Sequence, residues 1–281
     1  MTTKPYLVIK PKKGWQLVDF KELKEYRDLF YFLIARDIKV RYKQTVLGGL
    51  WAIIQPFFMM IVFTLFFGTL AKVPSDGIPY PIFNYSAMVA WTYFASSISY
   101  SSNSLVQEST LISKVYFPRL LVPLAPVFAF LLDFVIAFVI LIVMMLISPL
   151  LFNYRIYPNI MALFLPLLVV LMMLIASGVG MFLSALNAKY RDIRYTIPFL
   201  TQFWMFASPV VYPVSMLPAK YHIIYAINPM VGVIEGFRSA LLGTVAFPTQ
   251  MLLISSAVSI ILFVTGALYF RRTERYFADV I

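Results

Sequence analysis

At 281 residues the chain is long enough for one large domain or two small ones, but 61% hydrophobic residues and a mean hydropathy of +0.84 exclude an ordinary soluble protein. The net charge is +11, and because the cations flank apolar runs instead of forming a soluble basic face, they argue against nucleic-acid binding. The chain has no cysteine and a single histidine, which excludes disulfides, thiol catalysis and a histidine-rich metal site.

The N-terminal part of the chain predicts a cytoplasmic segment followed by an interface helix. Residues 1–28 are polar and mixed in charge, without the early apolar core of a signal peptide. Over residues 29–46, apolar side chains recur at helical spacing on one face, while Arg36, Lys39 and Lys43 share another. Asp37 and Arg41 are spaced to pair along the helix. Such a helix lies in the membrane interface with its cations toward anionic headgroups, or else only fixes the topology.

Five apolar segments and one rich in serine and tyrosine, 82–105, predict an all-α polytopic membrane protein with a single transmembrane domain; 82–105 counts as a span because without it Arg191 and Arg194 would lie outside the cell. Lysine and arginine concentrate in alternate segments, beginning with the N-terminal one, so both termini are expected in the cytoplasm, with residues 271–281 as a cytoplasmic tail. The predicted spans are 50–70, 82–105, 120–147, 160–186, 196–212 and 251–270.

Two predicted spans carry side chains suited to a hydrated path. On the second span, polar residues form one helical stripe opposite Met88, Trp91 and Ile98, and a polar stripe normally faces other helices or a wet cavity. On the fifth span an aromatic stripe would pack against sugar rings, or face lipid instead. The predicted path residues are Ser86, Tyr93, Ser97, Tyr100, Tyr195, Phe199 and Phe203.

Two connecting segments also have predicted structure. Residues 106–119 form a short helix that ends at Phe117-Pro118. Residues 213–248 are too short and too broken by proline to cross a membrane, and favour two short re-entrant helices, the second beginning at Asn228-Pro229 and ending at Gly243.

Few groups in the sequence suit catalysis. No Gly-x4-Gly-Lys-Ser/Thr phosphate loop occurs, so this chain is not expected to hydrolyse ATP, and it has no predicted catalytic or metal-binding residues. Asp133 near the middle of the third span is interpreted as a buried structural partner of a hydroxyl or amide. Glu235 and Arg238 are spaced to pair with each other.

A long run before and into the first span carries a family resemblance, supported by Pro56, Phe117-Pro118, Asn187-x3-Arg191-Asp192, Ser208-Pro209-x2-Tyr212 and Asn228-Pro229. The run reads Arg36-Asp37-x-Lys39-x-Arg41-Tyr42-Lys43-Gln44-Thr45-x-Leu47-Gly48-x2-Trp51. It resembles the membrane permeases of ABC-type exporters for O-antigen, capsule or teichoic acid polysaccharides.

The resemblance implies partners and sites. The permease would work with two copies of an ABC ATPase, which bind ATP and Mg²⁺, and would need no cofactor of its own. Six spans are too few to wrap a hydrated glycan, so a homodimer in the bacterial inner membrane is expected. The basic residues Arg36, Lys39, Arg41 and Lys43 would attract the diphosphate of a polyprenyl carrier. Coupling to the ATPase is assigned to Glu108, Leu111, Ile112, Lys114, Val115, Phe117 and Pro118. The outer gate is assigned to Tyr212, Asn228, Pro229, Glu235 and Arg238.

Two alternatives to this interpretation remain. A membrane-embedded enzyme acting on polyprenyl-phosphate sugars would explain the basic interface and the aromatics, but it should show clustered acids at a cytoplasmic loop, and the predicted cytoplasmic loops hold only the isolated Glu108 and Asp192. A small-molecule exporter of the same superfamily is disfavoured by the N-terminal run alone.

Overall fold

The structure is a computed structural model that describes residues 24–43, 48–190, 192–243, 246–274 and 277. Parts of the predicted N-terminal segment, of the interface helix beyond Lys43 and of the C-terminal tail therefore lie outside the described residues. Every regular element in the described ranges is helical, which confirms the all-α class.

The described helices follow one another with short connections, and three of the connections contain 3₁₀ turns. The α-helices are α1 (Arg27–Lys43), α2 (Trp51–Phe63), α3 (Tyr80–Gln107), α4 (Ser109–Lys114), α5 (Leu121–Ala129), α6 (Leu131–Phe152), α7 (Leu165–Lys189), α8 (Ile193–Phe206), α9 (His222–Tyr225), α10 (Pro229–Leu242) and α11 (Thr249–Thr273). A π-helical segment, Thr64–Leu70, continues α2. The 3₁₀ turns are Gly48–Leu50, Ile160–Phe164, Val214–Met216 and Ala219–Tyr221.

Four helical segments in the described ranges are long and apolar enough to cross a membrane. They are Trp51–Leu70, Leu121–Phe152, Ile160–Lys189 and Thr249–Thr273. About 20 residues suffice for a crossing, because a helix rises 1.5 Å per residue against a hydrocarbon core of about 30 Å. The predicted first, third, fourth and sixth spans are thereby confirmed as helices able to cross.

Helix α3, the predicted second span, has 28 residues and is long enough to cross, but its serine, asparagine and tyrosine residues make it less apolar than the four segments above. It lies at the centre of the bundle, packed against α7, α5, α6, α10 and α2. Several of its hydroxyl groups bond to carbonyls one turn back in the same helix, as in the pairs Ser86–Phe83, Thr92–Met88 and Ser104–Ser101. These bonds let a serine-rich helix enter a buried position, because they satisfy the hydroxyls within the helix.

The predicted fifth span is wrong in its extent. The sequence predicts a span over 196–212, but α8 has only 14 residues, begins at Ile193 and ends at Phe206. Pro209 disfavours the helical conformation at Ser208. The Tyr212 hydroxyl then donates to the Phe206 carbonyl at 3.0 Å, so the chain folds back over the helix end. At about 21 Å, α8 alone is shorter than the hydrocarbon core.

Helix α10 begins and ends as the sequence predicts. The Asn228 side chain accepts a hydrogen bond from the Met230 amide at 3.2 Å, and Gly243 closes the helix with φ of 68°. All 14 of its residues are buried. The other predicted short helix is reduced to the single turn of α9, which follows two 3₁₀ turns.

The buried apolar side chains form two clusters. The larger lies among α2, α3, α6, α7 and α10. The smaller joins α1, α4 and the end of α11 through Leu33, Ile112, Phe117, Phe270 and Phe277. The interface helix and the segment around α4 therefore share one small core at one end of the bundle.

Helices α7 and α11 meet where both carry glycine. A Cβ atom at Gly178 would lie 2.6 Å from the backbone of Leu262, and one at Gly266 would collide with the Gly178 carbonyl oxygen. Because backbone atoms cannot turn away as a side chain can, we expect Gly266→Ala to lower the free energy of unfolding by about 1–3 kcal/mol. Thermal unfolding in detergent measures this. The control is Gly49→Ala, whose Cβ would meet only the Tyr42 ring, at 3.3 Å; equal effects of the two variants would contradict the prediction.

Candidate functional site

An arginine on α1 links this helix to the start of α4. The Arg36 guanidinium lies 2.7 Å from Glu108 Oε1 and donates to Oε2 at 2.8 Å. It also lies 2.9 Å from Asp37 Oδ1 on its own helix. Glu108 occupies the break between α3 and α4, so this ion pair connects the interface helix to the segment assigned to coupling.

A second arginine links α1 to a membrane helix. Arg41 lies 2.5 Å from Asp133 Oδ2, on α6, and its guanidinium stacks 3.8 Å from the centre of the Phe130 ring. The Tyr42 hydroxyl donates to the other Asp133 oxygen. The expected pairing of the Asp37 and Arg41 side chains is wrong, because Arg41 turns away toward α6 and only its Nε reaches the Asp37 backbone carbonyl, at 3.3 Å.

Burial and pairing act against each other at Arg36 and Asp37. Burial raises the pKa of the Asp37 carboxyl, and Arg36 limits that rise. Burial also disfavours the charged guanidinium, but its hydrogen bonds with Glu108 and Asp37 outweigh this effect and raise the pKa of Arg36. Arg36 is therefore a permanent cation that already has two acidic partners.

Two adjoining cavities lie along these ion pairs, with volumes of about 340 and 450 Å³. Both are bordered by Arg41, Tyr100 and Phe130. The smaller adds charged groups, Arg36, Asp37 and Glu108. The larger adds Asp133 and neutral polar and aromatic groups, which are Tyr42, Trp51, Gln55, Thr92, Tyr93 and Ser96. A charged compartment therefore adjoins one whose hydroxyl, amide and ring groups suit a sugar.

The structure separates the four predicted cations into two pairs. Arg36 and Arg41 line the cavities and are held by acids, whereas Lys39 and Lys43 are exposed on the outer surface of α1. The acidic partner of neither arginine follows from the sequence alone. Asp133 did indicate that such a pair exists, since an acid placed in an apolar span requires a partner.

The predicted path residues fall into three environments. Ser86 and Ser97 are completely buried inside the bundle, as are Met88 and Ile98 on the predicted opposite face. Both faces of α3 are thus covered in this conformation. Tyr93 and Tyr100 border the larger cavity, and the Tyr93 hydroxyl donates to the Val127 carbonyl at 3.0 Å. On α8, the stripe Tyr195, Phe199 and Phe203 is 64–73% exposed.

The residues assigned to coupling divide between core and surface. Ile112, Phe117 and Pro118 are buried, and Leu111 packs against the same small core. Lys114 and Val115 are exposed, and Tyr116, which the sequence analysis did not single out, is 62% exposed. Helix α4 also ends at Lys114, before the predicted Phe117-Pro118 stop, because Val115 is already extended.

The residues assigned to an outer gate form a closed network. Arg238 pairs with Glu235 at 2.9 Å, which confirms their predicted pairing. Arg238 also donates to the Val210 carbonyl at 2.8 Å and stacks 3.7 Å from the centre of the Phe83 ring on α3. Both charged side chains are buried, so these contacts fasten α10 to α3 and to the turn after α8.

Asn228 and Tyr212 extend this network to α8 and α9. The Asn228 amide donates to the Ala207 carbonyl at 2.9 Å, and its oxygen accepts from the Trp204 indole at 2.9 Å. The hydroxyl groups of Tyr212 and Tyr225 lie 2.9 Å apart. Pro229 occupies the first turn of α10, where no backbone donor is needed.

The fold and these sites define a helical membrane protein with an ion-paired helix α1, cavities beside that helix, and a second ion-paired network on α10. The model of the ABC-2 type transporter family matches residues 28–242, well over half of the chain. The chain belongs to that family.

Relatives along nearly the full length are named as permeases or transport proteins. The chain is 26% identical to the O-antigen export system permease protein RfbA of Myxococcus xanthus, over 93% of this chain and 98% of the relative. It is 28% identical to the protein of the same name from Klebsiella pneumoniae, over 90% and 95%. It is 25% identical to the polysialic acid transport protein KpsM of Escherichia coli, over 86% and 92%.

The buried ion pair on α10 should show strong coupling between its partners. Glu235→Leu leaves Arg238 buried without its carboxylate, so we expect a loss of about 3–5 kcal/mol in the free energy of unfolding. Combining it with Arg238→Met removes the unpaired charge and should cost less than Glu235→Leu alone. Thermal unfolding in detergent measures the free energy of unfolding of Glu235→Leu, of Arg238→Met and of the double variant.

The control for this cycle is Glu274→Gln, which breaks another i,i+3 pair, with Arg271 at 3.1 Å, in a more accessible place. We expect it to cost at most about 1 kcal/mol. Simple additivity of the two changes on α10 would show that Glu235 and Arg238 do not stabilise each other.

Proposed function

We propose that this chain is the membrane subunit of an ATP-driven exporter that moves lipid-linked polysaccharide across the bacterial cytoplasmic membrane. The observation that carries the proposal is its membership in the ABC-2 type transporter family, together with relatives named for O-antigen export and polysialic acid transport along nearly its whole length. The substrate would be a glycan on a polyprenyl diphosphate of the O-antigen, capsule or teichoic acid type.

The proposed topology has six crossings with both termini in the cytoplasm. Four apolar helical segments supply four crossings, and α3 and the region of α8 supply the others. The alternating placement of cations supports this orientation. Helices α9 and α10 would then lie on the outer side as a re-entrant segment, and the complete burial of α10 agrees with the rule that broken helices need protein contacts at membrane depth.

The proposed substrate site lies at α1. Lys39 and Lys43 are exposed cations on the interface helix, where they would attract the carrier diphosphate. Arg36 and Arg41 border the cavities behind them. Guanidinium groups bind phosphate oxygens through paired hydrogen bonds, and the larger cavity would take the first sugar.

The proposed assembly is a homodimer with two ATPase subunits. The exposed aromatic face of α8 would line the path for the glycan between the two copies, since ring faces bind pyranoses through weak, repeated contacts. The exposed residues after α4, Val115 and Tyr116, would contact the ATPase, which supplies the ATP and Mg²⁺ sites. The permease itself would perform no catalysis.

The exposed lysines on α1 provide the first test. Cells lacking this chain should retain the lipid-linked glycan inside, and the native chain should restore export. We expect Lys39→Gln combined with Lys43→Gln to reduce binding of polyprenyl-diphosphate vesicles about tenfold or more, because each cation near an anionic surface contributes about 1 kcal/mol. Export should fall with binding. Lys220→Gln, an exposed lysine on the proposed outer side, is the control. Normal export by the double variant at native abundance would refute the role of these lysines.

The surface after α4 provides the second test. We expect Val115→Asp combined with Tyr116→Asp to abolish copurification of the ATPase, since two charges would be buried in an apolar contact. The expected loss exceeds tenfold in affinity, measured by detergent pull-down. Tyr157→Asp is the matched control, because Tyr157 is 69% exposed and lies beyond the opposite end of α6. Retention of the ATPase by the double variant would place the contact elsewhere.

A further inference from the structure

The ion pair between Arg36 and Glu108 lies where α3 meets α4. A contact that only stabilised the fold would not need to lie at this joint. Glu108 follows the last residue of α3 and precedes the first residue of α4, with φ of −96° and ψ of 18°, so it sits at the joint between a central helix and the coupling segment. Its carboxylate reaches Arg36 through both oxygens, at 2.7 and 2.8 Å. Any change at Arg36 therefore acts directly on this joint.

The charges around the smaller cavity cancel. Arg36 and Arg41 line this cavity of about 340 Å³ together with Asp37 and Glu108, both of which contact Arg36. A diphosphate entering this space meets two cations and two carboxylates, and the carboxylates repel it. Stable binding therefore requires one carboxylate to give up its arginine, because like charges within a few ångströms strongly disfavour each other in a partly buried site.

Among the carboxylates that contact the two arginines, Glu108 is the one held least firmly, so it can separate from Arg36. Asp37 is adjacent to Arg36 in sequence and lies on the same rigid helix. Asp133 is held by the Tyr42 hydroxyl as well as by Arg41. Glu108 lies on another element, at a break in the helix, and its described side-chain bonds all go to Arg36.

We propose that Glu108 is a displaceable counterion: the diphosphate of the lipid-linked substrate replaces it on Arg36, and the freed Glu108 signals occupancy to α4 and its ATPase. This inference rests on the proposed function, since it assumes a polyprenyl-diphosphate substrate and an ATPase bound near α4. It adds a regulatory step to that site. In the empty transporter the Arg36–Glu108 pair restrains α4, and hydrolysis is stimulated when the pair opens.

The test uses the full transporter with its ATPase in phosphatidylethanolamine nanodiscs, with and without geranylgeranyl diphosphate. We expect Glu108→Gln to bind this probe about tenfold more tightly than the native protein, because the competing carboxylate is gone. Its ATPase activity without the probe should rise to the native stimulated level, so the ratio of its activity with the probe to that without falls to about one.

Arg36→Gln should bind the probe at least tenfold more weakly than the native protein. Glu108→Asp, which keeps the charge on a shorter side chain, should retain stimulation and serves as the second variant if Glu108→Gln does not fold.

The control variant is Asp28→Asn, which removes an exposed acid from α1 near Arg27, away from the cavities, and should leave affinity and stimulation unchanged. Nanodiscs containing phosphatidylglycerol without the probe distinguish the two phosphate sources, and stimulation by that lipid alone would overturn the assignment to the substrate. Native affinity in Glu108→Gln, or a reduced basal activity with stimulation preserved, would overturn the displacement of Glu108 while leaving the proposed function intact. Absence of probe binding to the native protein would overturn both.

Discussion

A charged or polar group among apolar helices must find a partner inside the protein, and this constraint organises the bundle around α3. Some hydroxyl groups of α3 bond within the helix and others bond to carbonyls of neighbouring elements, which lets most of this polar helix be buried. At its first turn, Phe83 supports the buried pair of Arg238 and Glu235. At its other end, Glu108 holds Arg36. These two ion pairs thus lie at the two ends of one central helix, where each connects α3 to a short or peripheral element.

The two ends differ in how firmly their charges are held. Arg238 and Glu235 are almost inaccessible, and Arg238 is further fixed by a backbone carbonyl and an aromatic ring. Removing either partner there would leave a buried charge, so this pair acts as a structural fastening. Arg36 and Glu108 border an open cavity and retain about a third and a fifth of their side-chain exposure. Water and anions can reach the second pair, which makes its opening far less costly.

The sequence predicts what local chemistry determines. Apolar length identifies four crossing segments, and Asn228-Pro229 with Gly243 defines α10, because capping and left-handed glycine act within a few residues. Partners distant in sequence were not predictable in this way: Asp133 was recognised as needing a partner, but Arg41 is 92 residues away. Spacing places the polar stripe on one face of α3 without deciding what that face meets, because a serine hydroxyl can bond within its own helix, as those of Ser86 and Ser104 do, while Tyr93 and Tyr100 border a cavity.

Ion pairs connect α1 to the bundle, although apolar contacts could attach it as well. A partly buried ion pair contributes little net stability, because the cost of desolvating the charges largely cancels their attraction, and an apolar contact of similar volume would hold the helix as well. The same helix already has such a contact through Leu33 in the small core. Arg36 and Arg41 are therefore not needed merely to attach α1. A cation paired with a carboxylate offers something an apolar contact does not: an anion of matching geometry can take the carboxylate's place without leaving the cation unpaired. That exchange requires an accessible cavity, a carboxylate on a separate element and a break between helices that can change when the carboxylate is released. Glu108 meets all three requirements.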